Sequence, residues 1–258
     1  MTRLETRVDV LLEIVRCPNV RYCLANPDSG HPCAGIVLDQ RSKTLEEYQV
    51  PEPWSGRLEQ APILFLSSNP SISMEEEYPR WSWSDDLITD FFTNRFGDGR
   101  KPWVRDGRYS LLRDGTHSGA VGFWSAVRQR ARELLGVDNV RPGEDYALSE
   151  VVHCKSRQEQ GVAAARDECA GRYLQRIIAQ AGAKVVVCLG KTAAQAVRGA
   201  FGVPEDGRIA GPIQVGHRLR YFAFLPHPNA RGVPKTFAKC LPGEELGQLQ
   251  AFLAAESS

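Results

Sequence analysis

The sequence lacks long apolar runs and an excess of charge of either sign. Apolar stretches such as "VVVCLG" are far too short to cross a bilayer, so we expect no contact with a membrane. The net charge of +1 gives the chain no global attraction to nucleic acid, so any binding of DNA needs a local patch. Asp9, Glu13 and Arg16 interrupt the first apolar stretch. That stretch therefore predicts an amphipathic helix rather than a secretory signal, and hence a cytoplasmic protein.

Acidic residues are absent between Gly207 and Cys240. The same stretch contains six basic residues, namely Arg208, Arg218, Arg220, Arg231, Lys235 and Lys239. A basic surface for DNA and an ordinary solvated edge are equally compatible with this charge pattern, so the pattern alone does not decide between them.

A disulfide framework is not favoured either. The chain has seven cysteines, an odd number, and a reducing cytoplasm favours metal binding by clustered thiols. Cys17, Cys23 and Cys33 lie in the Pro- and Gly-rich stretch "CPNVRYCLANPDSGHPC", which predicts a loop after a helix over residues 3–16. Such a loop needs a cross-link to hold it in place.

Strands and helices alternate along the rest of the chain. Short buried strands are predicted in "APILFLSSNPS", "YALSEVVHC", "KVVVCLG" and "RYFAFLPHP", with amphipathic helices around them. The expected fold class is α/β, a three-layer α/β/α sandwich with a central, mostly parallel four-stranded sheet. We expect a single domain over residues 1–258, with 1–60 as an N-terminal helix and Cys-containing loop extension.

Two segments depart from this alternation. Residues 74–116 are irregular and aromatic, and they are too long for a simple connector, so we expect them to be functional or to cap the fold. The tetrapeptide "LGKT" invites a phosphate-binding loop, but that motif needs a glycine five positions before Gly190, where Val185 stands. Gly190 is therefore predicted only to turn a strand into a helix.

Three polar features follow predicted strands. Asn69 in "SSNPS" is delivered to the edge of the sheet where open α/β sheets place their sites. His227 follows the last strand in "LPHPNARGVP", and the same stiff loop presents Arg231. Cys154 follows another strand and is joined by "KSRQEQGVAAARDE" to Cys169 in the next helix.

Taken in order, from about Pro62 to Arg231, these motifs resemble the uracil-DNA glycosylase superfamily. The likeness is closest to its thermostable iron–sulfur branch, at "VVHCKSRQEQGVAAARDECAGRYLQRIIAQAGAKVVVCLGKTAAQAV". The resemblance implies the fold of that superfamily and a monomeric, monofunctional DNA glycosylase. Such an enzyme flips a nucleotide out of DNA and hydrolyses its N-glycosidic bond, which leaves an abasic site for abasic-site endonucleases.

The resemblance also implies roles for single residues. Asn69 would position the hydrolytic water, and His227 would donate a hydrogen bond to the departing base. The residues expected to read or stack on the flipped base are Ser68, Glu150 and Phe91, with Tyr78, Trp81 and Phe92 as further candidates for stacking. The residues expected to contact DNA are Asn229, Lys235 and Arg231, of which the last would fill the gap left by the extruded nucleotide.

In the iron–sulfur branch, four cysteines hold a structural [4Fe–4S] cluster. The resemblance assigns this role to Cys17, Cys23, Cys154 and Cys169. Cys33 is a rival, because the Cys-x5-Cys spacing of the first pair is wider than the branch usually shows. A zinc site that uses His31 is the alternative.

Glu150 departs from the family, whose uracil-excising members carry asparagine there. An ionised glutamate only accepts hydrogen bonds, so it suits a base edge with an amino group, such as that of cytosine. The sequence therefore predicts excision of a modified cytosine, with defence against phage genomes as one context. Three alternatives stay open: a neutral or salt-bridged Glu150 with uracil as substrate, excision of hypoxanthine, and an inactive Cys-cluster protein that only binds DNA. Asn69 and His227 speak against the last, because a protein that only binds DNA needs neither.

Overall fold

The computed structural model describes residues 5–42, 44–97 and 102–255. The strands of its main sheet are β1 (Trp54–Ser55), β2 (Ile63–Ser67), β5 (Tyr146–Glu150), β6 (Val185–Leu189), β7 (Ile209–Val215) and β8 (Arg218–Leu225). They lie side by side in the order β1-β5-β2-β6-β8-β7. A separate antiparallel ribbon pairs β3 (Val104–Arg105) with β4 (Tyr109–Ser110).

The four central strands, β5, β2, β6 and β8, run parallel. Every residue of β2, β5 and β6 is buried, which explains the unbroken apolar runs of parallel strands covered on both faces. The predicted α/β sandwich is confirmed, and β1 and β7 add antiparallel edges to the expected four strands. The sequence pattern does not predict β7, because "IAGPIQV" contains the Gly and Pro that strand interiors usually exclude.

Helices cover both faces of the sheet. They are α1 (Glu5–Val15), α2 (Pro18–Ala25), α3 (Ala34–Leu38), α4 (Asp85–Thr93), α5 (Gly122–Leu135), α6 (Val162–Gln180), α7 (Lys191–Phe201), α8 (Phe237–Cys240) and α9 (Gly243–Ala254). Helices α1 to α4, α6 and α7 share one core with Leu64, Val186 and Phe222, whereas α5, α8 and α9 share the other with Phe65 and Val187. Alternate strand residues thus feed two cores. No helix within the described ranges is long and apolar enough to cross a membrane.

Two local predictions are wrong. The stretch predicted as a loop after the first helix contains α2, which begins at Pro18, a position where the missing N–H of proline costs no hydrogen bond. The strand predicted to run through Cys154 ends at Glu150, and residues 151–161 form a connection to α6. The first predicted helix is α1, although its predicted residues 3 and 4 lie outside the described residues.

The aromatic segment 74–116 contains α4 and the β3-β4 ribbon. Ser84 caps α4, because its side chain accepts a hydrogen bond from the backbone N–H of Leu87. Tyr78 and Phe92 pack edge-on against Phe91 in this segment. Residues 98–101 of the segment lie outside the described residues. The rest is an ordered aromatic cluster rather than a simple connector.

Candidate active site

The ends of the parallel strands form one edge of the sheet, called here the carboxyl edge. Strand register pairs Ser67, the last residue of β2, with Glu150, the last residue of β5. Asn69 follows β2 by two residues, and His227 follows β8 by two residues. Asn69 and His227 therefore leave the sheet at the same edge, as the sequence predicts. Glu150 lies at this edge because β5 ends there rather than at Cys154, where the sequence pattern predicts its end.

Asn69 is held through its amide nitrogen. Nδ2 donates to the carbonyl oxygens of Pro70 and Cys154, at 3.0 and 3.4 Å, and to Oγ of Ser156 at 2.9 Å. Because carbonyl oxygens only accept, these partners fix which end of the amide is the nitrogen. Within the described residues Oδ1 has no hydrogen-bond partner, so it is available to accept from a water molecule.

His227 is half-buried, and its surroundings define its protonation. The backbone N–H of Asn229 donates to Nδ1 at 3.3 Å, so in a neutral imidazole the proton lies on Nε2. Burial lowers the pKa of His227, and nearby Arg130 and Lys235 lower it further, against the opposing charge of Glu159. The ring is therefore neutral at neutral pH and offers an N–H donor from Nε2.

Two residues without a sequence signal position the imidazole of His227. The ring of Phe123 stacks on it, with centroids 5.4 Å apart and planes 18° apart. Gly190 has a φ of +89°, and a Cβ there would lie 3.1 Å from Cβ of His227. Gly190 is the N-cap of α7, where the strand-to-helix turn was predicted, and in addition it makes room for the histidine.

The loop that carries His227 is tied at both ends. Arg130 of α5 is fully buried, and it donates to the carbonyl oxygens of Pro226 and Lys235, both at 3.0 Å. The ammonium of Lys235 also donates to the carbonyl oxygen of Pro228 at 2.7 Å. Lys235 thus closes the loop onto itself, and its contact with DNA stays a prediction.

Replacing Arg130 by methionine is expected to lower the free energy of unfolding by about 2–4 kcal/mol, because two buried carbonyl oxygens lose their charged donors. Any base release that the resemblance implies should also slow, since the loop that carries His227 loses its clamp. Urea unfolding and a base-release assay measure the two effects. Arg132→Met, on the same helix but half-buried, is the matched control. Equal losses in the two variants would contradict the clamp.

Glu150 lies beside a buried network of four charged residues. Arg95 binds Glu52 at 2.7 Å and Glu76 at 2.8 Å, and Lys155 lies 3.5 Å from the second oxygen of Glu76. The two positive charges of the network therefore balance its two negative charges. Glu150 has no ion pair with any described residue. Its Oε2 instead accepts a hydrogen bond from the hydroxyl of Ser67.

The environment of Glu150 favours the neutral carboxyl. Burial raises the pKa of Glu150 well above its usual value, and the negative charge of Glu52 raises it further. The hydroxyl of Ser67 and the charge of Arg95 act in the opposite direction. Because both buried cations already have partners, this environment favours the neutral carboxyl. This direction runs against the expected ionised Glu150 that only accepts, since a neutral carboxyl also has an O–H donor.

A second carboxylate, that of Glu159, lies at the carboxyl edge. Ser68, a predicted base-reading residue, is buried, and its hydroxyl donates to Oε1 of Glu159. Burial dominates the pKa values of Glu150 and His227, but the negative charge of Glu159 acts upwards on both. The sequence carries no signal for Glu159, which is exposed in a polar loop where charged side chains are common.

Cysteine side chains surround a buried cavity between the N-terminal helices and α6. The cysteines that line this cavity are Cys17, Cys33, Cys154 and Cys169. Cys23 is buried in α2 but does not line this cavity. The structure thus brings together three of the four predicted ligands with their rival, Cys33.

Two histidines near these cysteines have different surroundings. Nδ1 of His153, which lines the cavity, lies 2.7 Å from the carbonyl oxygen of Glu52, so Nδ1 carries the proton and Nε2 is a buried acceptor without a hydrogen-bond partner in the described chain. His31 instead accepts from the backbone N–H of Cys33 and packs against Tyr22. Across the described ranges, no three Cys, His, Asp or Glu side chains are arranged to hold a single metal ion. Four thiols around a cavity fit a cluster better than one ion.

A comparison with protein families identifies the family to which the sheet region is related. The model of the Uracil DNA glycosylase superfamily matches residues 53–242, well over half of the chain. The chain belongs to this superfamily. Its members act on DNA as glycosylases, which are hydrolases. No curated protein sequence matched the chain. The superfamily match includes the carboxyl edge with Cys154 and Cys169, and it begins after Cys17 and Cys33.

The residues with which this superfamily member is expected to contact DNA lie on the loop after β8. Asn229 and Arg231 are exposed, and Arg231 makes no hydrogen bond or ion pair with any described residue. Many of the remaining basic side chains in this stretch make hydrogen bonds within the protein. Arg220 is fully buried and donates to carbonyl oxygens at the end of α6, while Arg208 and Arg218 also donate to backbone carbonyls. The basic surface is therefore smaller than the number of charges suggests.

Phe91 is more deeply buried than its predicted role, stacking on a flipped base, requires. It is fully buried and packs against Tyr78, Phe92 and Trp103, with the guanidinium of Arg95 5.1 Å from its centroid. These contacts make it a core residue of the superfamily domain. Its stacking on a flipped base stays a prediction.

Proposed function

We propose that this superfamily member releases a modified cytosine from DNA by hydrolysing its N-glycosidic bond. The observation that supports the proposal is the buried carboxyl of Glu150, which shares the carboxyl edge with Asn69 and His227 and has no cationic partner among the described residues. Each of the three side chains then meets a different part of the flipped nucleotide.

His227 and Asn69 act on the charges that develop as the bond breaks. Cleavage builds negative charge on the base, and the Nε2–H of the neutral His227 supplies a donor for its carbonyl oxygen. Positive charge builds on the sugar, whose anomeric carbon is attacked by water. The free Oδ1 of Asn69 accepts a hydrogen bond from that water and so orients it.

A neutral Glu150 matches the Watson–Crick edge of cytosine. Its O–H can donate to N3, and its carbonyl oxygen can accept from the N4 amino group. Movement of the proton to N3 lets the base leave as a neutral molecule rather than as an anion, which lowers the barrier to cleavage. The substrate expected from the sequence is kept, but the reason changes from an accepting carboxylate to a donating acid.

Selectivity must come from a modification of the ring, because ordinary cytosine has to be spared. We assign the reading of that modification to the ordered part of segment 74–116, which holds α4 and the aromatic cluster. Modified cytosines occur in some phage genomes, so the proposed context is defence against phage. The enzyme would act as a monofunctional, monomeric, cytoplasmic glycosylase whose abasic product passes to abasic-site endonucleases.

Uracil is the second candidate, and the neutral state of Glu150 is what favours it. The same carboxyl can donate to O4 and accept from N3–H, as an asparagine amide does. Glu150→Gln separates the two candidates. The amide keeps one donor and one acceptor but has no acidic proton to give to cytosine N3.

DNAs that contain hydroxymethylated cytosine, glucosylated cytosine, uracil or hypoxanthine test the proposal, with abasic sites scored by alkaline cleavage. We expect release of a modified cytosine but not of uracil, and a fall of about 100-fold or more in Glu150→Gln. Release should also decline as the pH rises through the raised pKa of Glu150, because the neutral acid is lost. Uracil release that survives Glu150→Gln would support uracil instead. No release from any of these DNAs would support a protein that only binds DNA.

The cysteine cavity is assigned, as part of this proposal, to a structural [4Fe–4S] cluster. Its ligands would be Cys17, Cys33, Cys154 and Cys169, because these four line the cavity and Cys23 does not. A bound cluster supplies cross-linking thiolate bonds between the N-terminal helices and α6, and it takes no part in base release. Zinc is the alternative, and metal analysis of the protein distinguishes it from iron.

A further inference from the structure

The connection formed by residues 151–161 runs beside the chain that leaves β2. Backbone hydrogen bonds of 2.9 to 3.1 Å join residues 151, 152 and 156 to residues 67, 68 and 70. From this connection Ser156 binds the amide of Asn69 at 2.9 Å. Glu159 accepts a hydrogen bond from Ser68, the residue before Asn69. One loop therefore holds the water-orienting amide and also brings a carboxylate to the same turn.

The backbone around Glu159 is held in an uncommon conformation. Gln158 and Glu159 have φ values of +48° and +58°, in the left-handed region that side chains other than those of Gly, Asn and Asp rarely adopt. Gly161 has no room for a side chain, because a Cβ would lie 2.4 Å from the backbone nitrogen of Ile36. The backbone N–H of Arg157 donates to Asp39 at 2.6 Å, which ties the same loop to the end of α3. Strain of this kind persists where surrounding contacts enforce it, and it is concentrated at functional sites.

A purely structural role also does not explain the negative charge of Glu159. Its carboxylate is exposed at the carboxyl edge, and it forms no ion pair with any described residue. A negative charge beside a DNA-binding site would repel the phosphate backbone. The same charge stabilises positive charge that develops on the sugar, so its cost in DNA binding is offset in the transition state.

We propose that Glu159 is the general base of the reaction, a role that rests on the proposed glycosylase function. Its carboxylate takes a proton from the water that Asn69 orients, as the water oxygen bonds to the anomeric carbon. The N-glycosidic bond breaks at the same time, and its electron pair leaves with the base, which has received the proton of Glu150. Glu159 then passes the water's proton to solvent, and Glu150 takes a proton from solvent, so that both side chains return to their starting states and atoms and charges balance.

The two glutamates complement each other because their surroundings differ. Glu150 is buried and without a cationic partner, which keeps it protonated as an acid, whereas Glu159 is exposed to solvent. A buried acid opposite a solvated carboxylate is the arrangement by which glycoside-cleaving enzymes divide acid and base roles. Asn69 cannot replace Glu159, because an amide orients water but does not accept its proton at neutral pH.

Glu159→Gln tests the role, with the full-length protein and the DNA that gives the best release by the wild type. We expect the single-turnover rate to fall by about 100-fold or more, while the Kd for DNA stays equal or becomes tighter because a repulsive charge is removed. The titratable groups that face Glu159 are Glu150 of β5 and His227 after β8. The variant should keep the decline in rate at high pH that Glu150 sets, because Glu150 is unchanged. Glu159→Asp should restore part of the rate.

Asp138→Asn is the matched control, because it removes one negative charge from a fully exposed side chain that belongs to none of these motifs. It should leave the rate and the Kd unchanged. A Glu159→Gln variant with wild-type rate, or with equal losses in rate and DNA affinity, would overturn the general-base role. Failure of the wild type on every DNA in the panel would overturn the proposed glycosylase function itself.

Discussion

His227→Ala is expected to slow base release by about 100- to 1,000-fold, because the departing base loses the donor at its carbonyl oxygen. The Arg130 clamp on the carbonyl oxygens of Pro226 and Lys235 stays in place in this variant, so the loop keeps its backbone shape. The affinity for DNA should therefore be unchanged. Single-turnover kinetics with excess enzyme measure the rate, and equilibrium binding to an undamaged duplex measures the affinity.

The controls for His227 separate chemistry from folding. His217→Ala, at an exposed position between β7 and β8, should release base at the wild-type rate. Asn69→Ala should follow His227→Ala in losing base release while keeping DNA affinity. Unchanged base release in His227→Ala would remove the histidine from the mechanism. A parallel loss of rate and affinity would make it a structural or binding residue.

Cys33→Ser is expected to lose bound iron and to lower the free energy of unfolding by about 4 kcal/mol or more, as loss of a structural metal site does. The reason is that Cys33, in the N-terminal part of the cavity, would tie α3 to the thiols of Cys154 and Cys169. Cys23→Ser is the matched control, since its thiol is buried close by but does not line the cavity. It should keep its iron.

Iron analysis, the visible absorption of the purified protein and its unfolding curve measure the role of Cys33. Loss of iron in Cys23→Ser with retention in Cys33→Ser would restore the ligand set expected from the sequence. Zinc in place of iron in the wild type would contradict the cluster and leave the four thiols as a zinc site. Both results concern the metal, so neither depends on identifying the base that is released.

The cysteine cavity and the carboxyl edge meet at a single residue. The thiol of Cys154 lines the cavity, while its carbonyl oxygen accepts from the amide of Asn69 at 3.4 Å. Two residues further along, Ser156 also binds Asn69. Loss of the cluster is therefore expected to loosen the water-orienting amide as well as the N-terminal helices.

The order of strands, helices and motifs could be predicted from the sequence, because apolar runs and helical spacing are local properties of the chain. Asn69 and His227 were recognisable for the same reason, since each follows a buried strand in a turn rich in proline. Local patterns also explain the two wrong predictions, the loop in place of α2 and the strand that continues beyond Glu150. A polar stretch such as that of α2 has little helical periodicity, and the apolar residues after Glu150 prolong a strand pattern beyond the true strand.

The sequence by itself determined the α/β class, the parallel sheet and the edge at which Asn69 and His227 lie. Only the tertiary structure decided that Glu150 lies at this edge and in an environment that favours its neutral form, because that depends on burial and on Arg95 and Lys155 already having partners from distant parts of the chain. It also decided which cysteines share a cavity and where Glu159 lies. Contacts between distant segments leave no periodic signal, since they depend on how loops pack once the sheet has formed.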